Sequence, residues 1–168
     1  MSRDQTQPLQ KENIVVTRII DAPVELVWKA WTEPEHVMLW WGPRHFTSPS
    51  CQIDLRVGGK YIFCMRAPKE MGGQDQYTAG EYQKIVLMEY LEFTQYLSDK
   101  DGSKIDPVQA GMPPDFPAET RTVVTFKQLR GDMTELTVTE YEWPVSQMMV
   151  YSIAGLNQCI DKLIESLK

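Results

Sequence analysis

The chain is poor in the residues that metal sites and disulfide frameworks need. Its 168 residues include only two histidines and three cysteines. Cys51, Cys64 and Cys159 lie far apart, with no CxxC motif and no nearby pair of histidines, so neither a disulfide framework nor a zinc site is predicted. Unpaired thiols are typical of a reducing compartment. We therefore expect a cytoplasmic protein that has no metal and no cofactor.

Long apolar runs and basic runs are also missing. No segment approaches the ~18 consecutive apolar residues of a membrane span, and the polar start MSRDQTQPLQKEN lacks the apolar core of a signal peptide. The chain has 17 Lys and Arg against 23 Asp and Glu, a net charge of -6, and it offers no basic track for a phosphate backbone. We therefore expect neither a membrane nor a nucleic acid as a partner.

A single domain is the expected organisation, because a chain of this length suffices for one ordinary core. Residues 1–13 are predicted to be a flexible arm, and residues 14–168 are predicted to form the domain. Apolar periodicity predicts one strand, two short helices, six strands and one long helix. The predicted strands are 14–20, 51–57, 60–68, 77–87, 89–98, 119–129 and 134–143, and the two short helices fall between the first strand and Gly42-Pro43.

The last helix explains how these elements would pack. Its apolar residues recur at spacings of three and four over more than five turns: Met149, Ile153, Leu156, Ile160, Leu163 and Leu167. Hairpin-sized turns between the strands cannot supply the crossovers of a parallel sheet, so the sheet should be antiparallel. A curved sheet would bury this stripe by holding the long helix against its concave face, which is an α+β fold.

Several segments together resemble a known family. They are DAPVELVWKAWTEPEHVMLWWGP, IDLRVGGKY, GEYQKIVLMEYLEFTQYLSDKDG, TELTVT and AGLNQCIDKLIESL. A Trp-Trp-Gly-Pro signature followed by Asp-x-Arg-x-Gly-Gly is specific in this order. The chain from about residue 14 to its end is similar to proteins related to the activator of the ninety-kilodalton heat-shock protein ATPase. That family belongs to the SRPBCC, or START-like, superfamily with the helix-grip fold.

The resemblance implies a seven-stranded antiparallel sheet that grips the C-terminal helix, with an apolar cavity between them and two short helices at its mouth. Superfamily relatives bind lipids, hormones or polyketides there, or act as enzymes, and the fold alone does not choose among these roles. Aromatic and apolar residues on the predicted inward faces are our candidates for ligand contact. They are Trp40, Trp41, Phe46, Tyr61, Phe63, Met65, Tyr82, Phe93, Met112, Phe116, Glu140, Met149 and Ile153.

Two of these candidates sit side by side, and two lie in a loop. Trp40 and Trp41 either divide between the core and the cavity mouth, or both seal the short helix to the sheet. Met112 and Phe116 are apolar in a proline-rich loop over residues 104–118. They either form a lid over the cavity or pin the loop to the edge of the sheet.

Glu140 is the candidate with the most chemistry. It is in register with the inward Leu136 and Val138. We expect the inward pattern to fray at the end of the strand, leaving Glu140 and Glu142 in water. The alternative places Glu140 in the cavity, where burial would raise its pKa. Arg121 on the preceding strand could pair with Glu140 across the hairpin, in a structural role.

Three functions follow from these observations. The first is a binding protein without enzymatic activity that holds a small, largely apolar ligand in the cavity. The second is a regulator that binds another protein, as the family name suggests. The third is a cyclase or hydrolase, for which Glu140, Arg121, Tyr82 and His45 are the only polar candidates, with no spacing that supports them. Pairing into a homodimer through a sheet edge or loops is a further possibility.

Overall fold

The computed structural model describes residues 10–168. The sheet contains seven strands, and three α-helices accompany it. The strands are β1 (Lys11–Ile20), β2 (Cys51–Ile53), β3 (Lys60–Arg66), β4 (Asp75–Val86), β5 (Tyr90–Ser98), β6 (Thr120–Leu129) and β7 (Met133–Pro144). The helices are α1 (Val24–Thr32), α2 (Pro34–Val37) and α3 (Gln147–Ser166). No helix among residues 10–168 has the length together with the apolar character that crossing a bilayer requires.

The strands form one curved antiparallel sheet in the order β1-β7-β6-β5-β4-β3-β2. Each strand from β2 to β7 lies beside its neighbour in sequence, and β1 closes the far edge by pairing with β7. The long helix α3 packs on the concave face. Its Ile160 and Leu163 are fully buried there, and Arg18 of β1 donates to Asp161 of α3 at 2.7 Å. The predicted α+β helix-grip fold is confirmed.

In the central strands, alternate side chains point to opposite faces of the sheet, and one of these faces is buried. In β7, Thr134, Leu136, Val138 and Glu140 are buried, and the residues between them are at least partly exposed. In β6, Thr120, Thr122, Val124 and Phe126 are buried with the same spacing, and Val123 between them is buried as well. Every second residue of β7 and β6 therefore faces the core.

The first strand begins earlier than predicted. β1 starts at Lys11, so residues 11–13 of the expected arm belong to the sheet, where Lys11 pairs with Pro144 and Glu12 with Trp143. Residue 10 of the expected arm precedes the strand, and residues 1–9 lie outside the described residues.

The second strand is shorter than its alternating pattern predicts. β2 ends at Ile53, and Leu55 and Val57, expected on the buried face, are 38% and 62% exposed. The chain turns because Arg56 N–H donates to the Asp54 carbonyl and Gly59 N–H to the Arg56 carbonyl. A side chain at Gly59 would overlap the Asp54 carbonyl oxygen, so this turn needs glycine there.

The second short helix also ends early. Regular helix stops at Val37, although turns continue to the tryptophan pair, where Trp41 N–H still donates to the Val37 carbonyl at 3.0 Å. Gly42 then takes a φ of 103°, and a side chain there would press on Phe46 and Met65. The sharp exit fixes where the two indole rings point.

Candidate functional site

A cavity of about 260 Å³ lies between the concave face of the sheet and α3. Ligand pockets usually measure roughly 300–1,000 Å³, so this one suits a small molecule. Its walls come from β3, β4, β5, β6, β7, α3, the end of α1, the segment after α2 and the loop before β6. They are Trp31, Trp41, Gly42, Pro43, Tyr61, Phe63, Met65, Gln76, Thr78, Phe93, Gln95, Tyr96, Leu97, Met112, Phe116, Pro117, Thr120, Thr122, Val138, Glu140, Trp143, Met148, Tyr151, Ser152, Gly155, Leu156 and Cys159.

Aromatic rings in mutual contact make one wall. Alternation along β3 turns Tyr61 and Phe63 inward. The Phe63 ring lies 4.8 Å from Tyr61 and 4.9 Å from Trp41, and Tyr61 lies 5.3 Å from Phe93. The Trp41–Phe63 and Tyr61–Phe93 pairs are edge-to-face, an arrangement that aromatic rings prefer, and Tyr61 is tilted against Phe63.

A short polar row crosses the sheet at the other wall. Thr122 pairs with Glu140 in register, and its hydroxyl lies 3.0 Å from the side-chain oxygen of Gln95. Because the three residues stand on β7, β6 and β5 with the same inward orientation, their polar groups face one region of the cavity. The cavity is therefore amphipathic.

Glu140 is buried, so the expected exposure of this residue is wrong. The residue is only 8% exposed, and its Oε1 accepts a hydrogen bond from Trp143 Nε1 at 2.9 Å. Burial raises the pKa of the carboxyl, and the hydrogen bond from Trp143 opposes this rise. The inward pattern holds because Glu140 keeps its place in the ladder opposite Ile14 and Thr122. The pattern breaks only at Glu142, which is exposed and has a φ of 59°.

Arg121 does not pair with Glu140. It occupies the opposite face of β6, where its guanidinium binds Glu92 at 2.8 Å and stacks 4.4 Å from the ring of Tyr141. The reason is the alternation of side chains along β6: Thr122 pairs with Glu140, so the neighbouring Arg121 points to the other face of the sheet. Of the other polar candidates, His45 is exposed outside the cavity, and Tyr82 is buried in the wall behind it against Tyr61.

The structure divides the sequence candidates into two groups. Those that line the cavity are Trp41, Tyr61, Phe63, Met65, Phe93, Met112, Phe116 and Glu140. Those that do not are Trp40, Phe46, Tyr82, Met149 and Ile153. The tryptophan pair is split, because Trp40 turns into the core and donates its Nε1 to the Ala30 carbonyl at 2.8 Å. Phe46 follows the Gly42 turn and leaves the cavity wall.

Met149 and Ile153 do not line the cavity, because the apolar stripe of α3 and the face of α3 that lines the cavity point in different directions. They pack against the core instead. The helix face that meets the cavity carries residues at spacings of three and four: Met148, Tyr151, Ser152, Gly155, Leu156 and Cys159. Small residues at 152, 155 and 159 are the signal for this face, since they leave room in front of the helix. Hydrophobic periodicity does not register them.

The loop before β6 covers the polar side of the cavity. Met112, Phe116 and Pro117 line it, and the Phe116 ring lies 5.6 Å from Trp143, the residue that donates to Glu140. The apolar loop residues are thus placed over the buried carboxyl.

Two indole N–H groups at this site have no hydrogen-bond partner among residues 10–168. They are Trp31 Nε1 and Trp41 Nε1, which are buried although both residues line the cavity. Buried donors without a partner are uncommon, and they commonly indicate a position for water or a ligand. Burial also raises the pKa of Cys159 to about 11, so its thiol is protonated and a weak nucleophile at neutral pH. Residues 10–168 contain no group of three or more His, Cys, Asp or Glu side chains placed to hold a metal ion.

A lysine of α3 fixes the segment that carries Trp41. Lys162 Nζ donates to the carbonyls of Gly42, Pro43 and Phe46 at 3.0, 3.3 and 3.1 Å. Partial burial lowers the pKa of this amine. Three carbonyls around one ammonium group tie the cavity mouth to the helix.

Replacing Lys162 with methionine keeps the apolar stem and removes these bonds. We expect the free energy of unfolding to fall by about 1–2 kcal/mol, since hydrogen bonds to a charged group stabilise more than neutral ones. Urea unfolding followed by circular dichroism measures it. The exposed Lys29 of α1 provides the control, because Lys29→Met should change the stability by less than about 0.5 kcal/mol. Equal effects of the two substitutions would contradict this role.

Comparison with known proteins identifies the family of this chain. The model of the family described as activator of Hsp90 ATPase homolog 1-like protein, AHSA1, matches residues 21–168. The chain belongs to the AHSA1 family. AHSA1 proteins are members of the SRPBCC superfamily, so the resemblance read from the sequence is confirmed. No curated protein matches the chain.

Solved structures share the fold over nearly the whole chain. A protein of Nitrosomonas europaea has a TM-score of 0.71 at 22% identity and covers 92% of this chain and 93% of its own. One from Chromobacterium violaceum has a TM-score of 0.68 at 25% identity, with 91% and 94% covered. The AHSA1 protein of Silicibacter pomeroyi has a TM-score of 0.70 at 18% identity, with 93% and 97% covered. These similarities establish the fold of this AHSA1 protein.

Proposed function

We propose that this AHSA1 protein binds a small, largely apolar molecule in the cavity between its sheet and α3. The observation that carries the proposal is an amphipathic cavity in an otherwise close-packed core, with aromatic walls and a few convergent polar groups. Such cavities are the usual form of small-molecule sites, because apolar walls supply affinity and a few polar groups fix orientation.

Binding, and not catalysis, is the proposal because the cavity chemistry favours it. The carboxyl of Glu140 is committed on one oxygen to Trp143. Cys159 is held as a thiol by burial, which raises its pKa to about 11. Among the described residues that line the cavity, no nucleophile stands beside a base. We also infer that the protein works in the cytoplasm, since Cys51, Cys64 and Cys159 are all free thiols.

Gly155 provides the test, because a side chain there would occupy the cavity. A Cβ at Gly155 would meet only Pro43, at 3.9 Å, which is ordinary contact. We expect the wild type to bind a neutral probe, 3-phenylpropan-1-ol, and we expect Gly155→Leu to fold but to lose this binding. Isothermal titration calorimetry measures the binding, and circular dichroism measures the fold.

Gly155→Ala is the matched control. It should raise the free energy of unfolding by about 0.5–1 kcal/mol, because glycine is a poor helix former, and it should retain probe binding. Probe binding that survives in Gly155→Leu would place the probe elsewhere and would contradict the proposed site.

A further inference from the structure

Among the described residues, the cavity wall contains one acidic side chain and no basic side chain. Glu140 is the only Asp or Glu among the described residues that line it, and no lysine, arginine or histidine joins it there. The other titratable groups facing the space are Tyr61 of β3, Tyr96 of β5, and Tyr151 and Cys159 of α3, all of which are neutral in their protonated forms. The electrostatic character of the interior is therefore set by one carboxyl group.

Aromatic rings line the same cavity as that carboxyl. Trp143 donates to it at 2.9 Å, and Phe116 lies 5.6 Å from the Trp143 ring. The opposite wall adds Trp41, Phe63 and Phe93. Ring faces carry negative charge density and attract cations, and sets of such rings are the usual means of recognising ammonium groups.

Half of the carboxyl is left for a ligand. Oε1 of Glu140 accepts from Trp143, and Oε2 has no hydrogen-bond donor among residues 10–168. Burial raises the pKa of this group, so an empty cavity favours the protonated form. A cationic ligand would supply the missing counter-charge and convert the group to a carboxylate.

We propose that the cavity selects apolar molecules that carry a basic amine, that the ammonium group pairs with Glu140, and that carboxylates of the same shape are rejected. This inference rests on the proposed function, because it names the chemical class of ligand for the same cavity.

Rejection of carboxylates follows from the same wall. A buried anion needs a cation or several strong donors to replace its hydration. The donors without a partner at this site are the neutral indoles of Trp31 and Trp41. A carboxylate would gain them but would be confined in about 260 Å³ with a second carboxyl group. An ammonium group in the same space would be attracted by the carboxyl of Glu140 and by the faces of the aromatic rings.

Three probes of one shape separate the contributions. They are 3-phenylpropylamine, 3-phenylpropan-1-ol and 3-phenylpropanoate, which are a cation, a neutral molecule and an anion at pH 7.5. Titration calorimetry of the wild type should give the tightest binding for the amine, at least about tenfold tighter than the alcohol, as expected for a charge-assisted hydrogen bond in a buried site. The carboxylate should bind at least about tenfold more weakly than the alcohol.

Glu140→Gln assigns the preference to one group. Glutamine keeps an acceptor for Trp143 and nearly the same volume, so the variant should fold, and the change should appear in the ratio of the amine affinity to the alcohol affinity. The amine should lose its advantage, falling to about the affinity of the alcohol. Glu142→Gln, an exposed neighbour on the same strand, is the control and should leave all three affinities unchanged.

The outcomes distinguish the two proposals. An alcohol that binds as tightly as the amine, or an amine preference that persists in Glu140→Gln, would overturn the selectivity and leave the proposed function intact. Failure of all three probes to bind the wild type would overturn the proposed function together with this inference.

Discussion

Replacing Trp40 with alanine is expected to lower the free energy of unfolding by about 3–5 kcal/mol, the range for removing a fully buried aromatic side chain. Its indole is completely inaccessible to solvent and lies 4.7 Å from the Trp31 ring. The substitution removes packing on both sides of the ring. It also leaves the Ala30 carbonyl without the donor that Trp40 Nε1 supplies at 2.8 Å.

Trp41→Ala is the matched comparison, because the two residues are chemically identical neighbours. Trp41 is only partly buried, contacts Phe63 at 4.9 Å, and carries an N–H without a partner. We expect this substitution to cost about 1–2 kcal/mol of stability, since the site is open to the cavity and less packing is lost. It should weaken binding of 3-phenylpropan-1-ol, because it removes part of the aromatic wall.

Urea unfolding of the two variants, followed by far-ultraviolet circular dichroism, measures the difference. A loss for Trp41→Ala as large as that for Trp40→Ala would contradict the division of the pair. So would unchanged probe binding in Trp41→Ala. Far-ultraviolet circular dichroism is preferred, because the substitutions themselves change the tryptophan fluorescence.

Strand parity is the part of the site that the sequence predicts well. Period-two alternation places Tyr61, Phe63 and Met65 on one face of β3, and all three line the cavity. Position along the strand is harder to judge. Glu140 has the right parity, but its carboxyl suggests exposure, and only the ladder to Thr122 and Ile14 shows that the inward pattern continues that far.

The rotation of α3 could not be read from its apolar stripe. Period-3.6 analysis finds the face with the most hydrophobic area, and Ile160 and Leu163 are indeed buried. A cavity leaves space in front of the helix, so the residues that face it include small ones such as Ser152 and Gly155. Hydrophobicity gives these residues no weight, so the stripe identifies the core and shares only Leu156 with the cavity face.

The end of β2 could not be predicted from the sequence, because backbone hydrogen bonds to other parts of the chain decide where the strand gives way to a turn. The alternation of residues 51–57 fits a strand as well as it fits a short strand followed by a turn. The decision rests on backbone bonds, such as Gly58 N–H to the Tyr82 carbonyl at 2.8 Å, which join distant parts of the chain. A local pattern carries no information about such partners.

Glu140→Gln is expected to make the protein more stable at neutral pH, by an amount that grows with pH. Below the ordinary glutamate pKa of 4.5, the carboxyl is protonated in both the folded and the unfolded chain. Above it, the unfolded chain loses the proton, while the buried group keeps it because burial raises its folded-state pKa. Unfolding then releases a proton, so the wild type loses stability as the pH rises, at up to about 1.4 kcal/mol per pH unit, until the pH passes the folded-state pKa.

The measurement is the difference in free energy of unfolding between Glu140→Gln and wild type, from urea titrations between pH 4 and pH 8 without ligand. Other groups cancel in this difference, including Glu92, whose pKa is lowered by Arg121 and whose stabilisation of the fold is lost as the pH falls. The difference should rise from pH 4.5 upward. A flat difference for Glu140→Gln would contradict the raised pKa of the buried carboxyl, because the folded and unfolded chains would then lose this proton over the same pH range.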